Sequence, residues 1–170
     1  MGLAILLLTA SKVLAYAVLA HPAEIDVVWE SHLKPLLHKK YPGASEEELE
    51  GAEAYAFGGA ITRDLGCYPY ASRFFSDLAH YVRSGDFVAA LLRDAQNVDE
   101  YAFALDALSH YASDMDGHRI ATNPSVPILY PKLQEKYGNQ VTYEDDPLAH
   151  LRTEFGAAPR MTRFRPGLVN

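Results

Sequence analysis

The chain has 170 residues, 49% of them hydrophobic and 22% charged, which is the composition of one globular domain long enough to bury a core. A net charge of −7 excludes recognition of nucleic acid through a general basic field, although metal ions or a local basic patch can still hold phosphate. The single cysteine, Cys67, has no partner for an internal disulfide and sits between Gly66 and Pro69, which mark a turn.

Residues 3–10, LAILLLTA, are apolar, and Val13-Leu14-Ala15 offers the small or aliphatic residues that a signal peptidase reads. Two readings stand. Residues 1–15 are a short secretory signal lacking an early Lys or Arg, or they are an apolar helix retained by the domain. Removal after Ala15 would make Tyr16 the N-terminus. Elsewhere no stretch is apolar enough to suggest a membrane span.

Ala20 to Lys40 has helical spacing through Ile25, Val28, Trp29, Leu33, Leu36 and Leu37, with Pro35 expected to kink or break it. His21 stands at its start, and His32 and His38 lie among lysines as surface residues. Tyr41-Pro42-Gly43 is a turn. Ser45 and Glu48 form an S-x-x-E capping box for a helix through Leu49, Ala52, Tyr55 and Ala56, reaching towards Ile61. Gly58-Gly59 is poor helix material but lets another backbone come close. Asp64-Leu65-Gly66 ends the element, and Cys67 to Ala71 reads as a loop.

Ser72 to Arg83 is predicted helical and carries His80. Ser84-Gly85-Asp86 is expected to break that helix and cap another, from Phe87 to about Ala95. A long apolar helix continues the chain from Asp99. Asn123-Pro124 and Val126-Pro127 predict an extended connection. Tyr130 to Tyr137 is a short amphipathic helix ended by Gly138, and Val141-Thr142-Tyr143 a brief extended piece. Asp145-Asp146-Pro147 opens a last helix, with proline early where it is tolerated, and the Arg-, Pro- and Gly-rich tail, residues 156–170, is expected to fray. No alternating strand pattern or repeat is evident, so the fold class is all-α: a single-domain helical bundle.

The long helix ends in His110, Asp114 and His118, spaced H-x3-D-x3-H, and the last helix carries His150 and Glu154, again four apart. Residues four apart share a helix face. Imidazole nitrogen and carboxylate oxygen are ligands that zinc accepts, and a carboxylate can bridge two ions. The competing reading is a set of polar helix positions with ordinary hydrogen bonds. Two such pairs, with His21, Asp64 and His80 on other predicted elements, favour a multi-metal site.

The order of these residues resembles the zinc-dependent phospholipase C family and its relatives, the single-strand-specific fungal nucleases. The resemblance runs from about Tyr16 to Phe155 and is carried by AYAFGGAITRDLG, FFSDLAHYVRSGDF, YAFALDALSHYASDMDGH and HLRTEFG, with VPILYPKLQEKYG between the metal motifs. It implies an all-α domain over residues 16–155 with a metal-lined cleft and about three zinc ions. Residue by residue, it implies one zinc on Asp64, His80, His110 and Asp114, a second on His118, His150 and Glu154, and a third on His21 and Asp114, with Asp114 bridging. The α-amino and carbonyl groups of the mature N-terminal residue, Tyr16 here where the family usually has Trp, would complete the third site.

The resemblance also implies a zinc-dependent phosphodiester hydrolase of phospholipase C type, and residues 1–15, read as a signal, imply that it is secreted. Clustered zinc would offset the charge growing on the phosphodiester oxygens and acidify a bound water, and Asp64 would orient or deprotonate that water as the catalytic residue. Phospholipid is the expected substrate, with transient membrane-surface contact and no stable nucleic-acid partner. The rivals are a single-strand nuclease or nucleotidase on the same scaffold, and a non-catalytic helical domain in which zinc replaces a larger core.

Overall fold

A computed structural model describes residues 20–68 and 70–161, so residues 1–19, the expected signal and Tyr16 among them, lie outside the described residues, as do Pro69 and residues 162–170. Among the described residues every regular element is helical. Backbone proximity groups the described residues into two compact units, one over His21–Ala112 and one that includes residues 113–161. No helix among the described residues is long and apolar enough to cross a membrane.

The first unit opens with α1 (Ala20–Val28), a π-helical turn (Trp29–Leu33) and α2 (Lys34–Lys40). Pro35 therefore starts a helix instead of breaking one, because its missing N–H falls in a first turn, where it is not needed. Ser45 caps α3 (Glu46–Ile61) in a full capping box: its side chain accepts from Glu48 N–H and its own N–H donates to the Glu48 carboxylate at 2.8 Å. Gly58 and Gly59 do not end this helix. A Cβ on Gly59 would stand 2.0 Å from the Phe103 carbonyl oxygen, so this glycine is the point where the backbones of α3 and the long helix α6 (Val98–Gly117) meet. Ile25, Trp29, Leu37, Leu49, Ala52, Ala56, Ala60 and Ala102 form the core around that contact.

After α3 the chain makes a 3₁₀ turn (Arg63–Cys67), then α4 (Arg73–Tyr81), capped by Ser72, and α5 (Ser84–Asp94). The expected break falls just earlier, at Val82 and Arg83, and Ser84-Gly85-Asp86 forms the first turn of α5. Arg83 takes a left-handed conformation, φ 53°, between the two helices, and its guanidinium pairs with Asp86.

In the second unit the end of α6 runs into a π turn (His118–Thr122) and then α7 (Asn123–Leu129), α8 (Pro131–Tyr137) and α9 (Pro147–Met161). The extended connection expected at Asn123–Pro127 is a helix. Pro124 occupies its first turn, and the bond that Pro127 cannot donate to Asn123 C=O is replaced by one from Val141 N–H, at 3.0 Å. Val141 and Thr142 lie in no regular element: Val141 is buried with Val126 and Ala149, and Tyr143 lies in a turn. Gly138, at φ 88°, ends α8 as expected. Asp146 caps α9 by accepting from Ala149 N–H at 2.9 Å. The helix runs on to Met161, past Gly156, where fraying was expected.

Candidate metal centre

In the first unit the Gly59 contact settles where His110 stands. The His110 ring is 1% exposed, and its Nδ1–H donates to the carbonyl of Ala60, the residue after the close approach. His80, near the end of α4, does the same: its Nδ1–H donates to Ser76 C=O at 2.8 Å. A carbonyl can only accept, so in both neutral rings Nδ1 carries the proton and Nε2 keeps its lone pair. Both Nε2 atoms turn to one carboxylate: Asp64 Oδ1 lies 3.4 Å from that of His80 and 3.8 Å from that of His110.

Asp64 is held there by its neighbours. Arg63, 2% exposed, donates from Nε to Ala79 C=O at 3.1 Å and lies over the Tyr111 ring, 5.2 Å from its centroid. Gly66 N–H donates to Ser76 Oγ at 2.7 Å. The 3₁₀ turn is thus pinned to α4 on both sides of Asp64. His21, from α1, stacks on the His110 ring, with centroids 3.8 Å apart and an interplanar angle of 15°.

In the second unit His118, His150 and Glu154 come together. Glu154 Oε1 lies 2.6 Å from His118 Nε2 and 3.6 Å from His150 Nδ1, and Asp114 Oδ1 lies 3.7 Å from His118 Nε2. His150 is 1% exposed, and its Nε2–H donates to Asn123 Oδ1 at 2.8 Å, which leaves the lone pair on Nδ1. His150 Nδ1 and Glu154 Oε1 are buried without a well-formed hydrogen bond. Burial holds the imidazole below its ordinary pKa despite the nearby carboxylate, so it is a neutral donor at neutral pH.

Each group converges three ligand atoms to within 4.8 Å of one another, Asp64 with His80 and His110, and His118 with His150 and Glu154. Lone pairs aimed at carboxylates are unfavourable neighbours unless a cation or proton stands between them. A histidine whose second ring nitrogen is tied to a carbonyl or amide oxygen is the usual arrangement of a metal ligand. The donor set of nitrogens and carboxylate oxygens suits zinc. Residues 19–164 match the family described as zinc dependent phospholipase C.

The chain belongs to the zinc-dependent phospholipase C family. No curated protein and no solved structure matches it. The family carries the zinc and hydrolase readings of the sequence, and the all-α fold agrees with it. Of the sequence-predicted ligands, His80 and His110 meet Asp64, His118 and His150 meet Glu154, His21 stacks on His110, and Asp114 stands one helical turn before His118.

Two residues that hold these groups in place, and one a helical turn before His110, were not legible in the sequence. Arg63 reads as an ordinary surface arginine, and Asn123 as a turn residue before proline. Asp106 precedes His110 by one helical turn and extends the polar stripe to D-x3-H-x3-D-x3-H. It is 1% exposed with Oδ2 unpartnered, and burial pushes its carboxyl up to about 7. That four-residue spacing was the available signal.

Proposed function

We propose that this member of the family is a phosphodiester hydrolase that releases phospholipid head groups, with Asp64 as catalytic base and about three zinc ions as cofactor. The observation that carries the reading is the pair of histidines, His80 and His110, each with Nδ1–H tied to a backbone carbonyl and Nε2 turned on Asp64. Asp64, His80 and His110 would hold one ion, and His118, His150 and Glu154 a second. By resemblance alone, Asp114 would join the first group, and His21, Asp114 and an N-terminal Tyr16 left by removal of residues 1–15 in a secreted protein would hold a third. When bound, zinc supplies positive charge to the phosphoryl oxygens and lowers the pKa of water.

The chain's own residues do the rest. Ser76 and Ala60 carbonyls hold two imidazoles in the donor tautomer. The buried Arg63 fixes the turn that presents Asp64. Asp64, with one-fifth of its side chain exposed, can reach solvent water. It orients that water towards phosphorus and takes its proton as the water oxygen bonds to phosphorus, and the bond to the glycerol oxygen breaks with that oxygen taking up a proton from solvent. No side-chain nucleophile is needed. A single-strand nuclease on the same scaffold is the second enzymatic reading, and zinc that serves only the fold is the third.

The test is zinc content per chain by elemental mass spectrometry on N-terminally sequenced, chelator-free protein, followed by hydrolysis of phosphatidylcholine and of single-stranded DNA. About three ions, Tyr16 first and release of phosphocholine are expected. Cleavage of DNA alone would replace the lipid reading by the nuclease one. Asp64→Asn should abolish hydrolysis while the helical fold is retained, and absence of hydrolysis in both forms would favour structural zinc.

A further inference from the structure

Beside Asp64 and His80 the first unit exposes a run of large apolar side chains. The outer face of α4 carries Phe74, Leu78 and Tyr81 at helical spacing i, i+4, i+7, and Phe74 is 71% exposed. The opposite face buries Ser76 and Ala79. Val82 continues the apolar face past the helix end. The 3₁₀ turn, pinned to α4 through Gly66 and Ser76, adds Leu65 directly after Asp64. The Tyr81 ring lies 5.8 Å from that of His80, so the apolar face reaches the rim of the metal ligands.

Tyr70, four residues before Phe74, adds an exposed aromatic ring at a cost in free energy. Its backbone is left-handed, φ 67°, and its side chain is wholly exposed. A bulky residue is disfavoured in that region, and such strain clusters where a group is held out for a purpose. Tyrosine and phenylalanine suit a boundary that is wet on one side and apolar on the other. An exposed apolar patch of this kind marks an interaction surface.

Charge selects the occupant. The protein carries −7, and on the same helix the exposed Asp77 offsets the exposed Arg73. Arg83, at the end of the face, is paired with Asp86. An anionic bilayer would gain no attraction here, and single-stranded nucleic acid needs a basic groove as well as aromatic rings. A neutral head-group layer imposes neither condition. We propose that Tyr70, Phe74, Leu78 and Val82 form the surface by which the protein docks on a zwitterionic phospholipid bilayer, presenting Asp64 and His80 to the head groups. The proposal rests on the phospholipid reading of the metal centre.

The experiment compares wild-type protein with the Tyr70→Ser/Phe74→Ser double variant in flotation with phosphatidylcholine vesicles. Both positions are exposed, so circular dichroism and zinc content should not change. Wild type should float, and partitioning of the variant should fall by about tenfold or more, since binding scales with the apolar area that enters the interface. The ratio of hydrolysis on vesicles to hydrolysis of monomeric short-chain phosphatidylcholine should fall by a similar factor. Equal flotation of the two proteins, or no flotation of wild type, overturns the proposal. Loss of flotation in a protein that hydrolyses no phosphatidylcholine leaves the docking surface standing and removes the phospholipase reading. A wild-type dimer that the variant dissolves, or single-stranded DNA binding that it abolishes, with no vesicle binding, overturns the proposal in favour of a protein or nucleic-acid contact.

Discussion

Two adjacent glycines offer a sharp test of how the fold positions His110. At Gly59 a Cβ would stand 2.0 Å from the Phe103 carbonyl oxygen and 2.9 Å from its carbon, both backbone atoms that cannot rotate away. At Gly58 the nearest atoms are carbons of the Phe103 ring at 3.5 Å, an ordinary contact. Gly59→Ala must therefore move α3 off α6 by more than an ångström. Overpacking of this kind costs about 3 kcal/mol, and the better helix propensity of alanine returns about 1 kcal/mol. A net loss of about 2 kcal/mol lowers the melting temperature of a domain this size by about 4–8 °C. Gly58→Ala keeps the propensity gain and should be neutral or stabilising by up to about 1 kcal/mol. Because the Ala60 carbonyl that orients His110 is the next residue, Gly59→Ala should also weaken zinc at the Asp64 group, by about tenfold or more. Thermal unfolding followed by circular dichroism, and zinc competition with a chromophoric chelator, read the two effects. Equal stability and equal zinc affinity of the two variants would refute the reasoning.

Two further substitutions probe the polar groups inside the fold. Asn123→Ala removes the acceptor that holds His150 and should weaken zinc at the His118–Glu154 group about 10–100-fold. Chelator competition should show one class of sites weakened and the Asp64 group unaffected. At Asp106 the folded chain keeps a proton up to a pH of about 7, whereas the unfolded carboxyl loses it near 3.8. The native state therefore binds more protons between those values, and stability falls as pH rises through that window, by about 1.4 kcal/mol per unit at most. Asp106→Asn lacks this penalty. Urea unfolding should show the variant no more stable than wild type at pH 4 and more stable by a few kcal/mol at pH 8. A constant difference across that range would show that Asp106 does not titrate in this way.

Local chemistry determined much of this protein from the sequence alone. Ser45 and Glu48 announce the start of α3, Asp146 that of α9 and Gly138 the end of α8, because caps are made between residues three or four apart. The same short range made the ligand pairs legible: residues four apart share a face whatever the rest of the chain does, so spacing alone pairs Asp114 with His118 and His150 with Glu154. Tertiary structure decided what depends on distant partners. The helix through Pro127 exists because Val141 N–H supplies the bond to Asn123 C=O. Arg63 and Asp106 are buried by packing that no local pattern encodes. Which nitrogen of His80, His110 and His150 keeps its lone pair depends on the Ser76, Ala60 and Asn123 oxygens, and two of those three come from other segments of the chain. Residue type and helical period name the ligands; only the approach of one backbone to another, as at Gly59, aims their atoms.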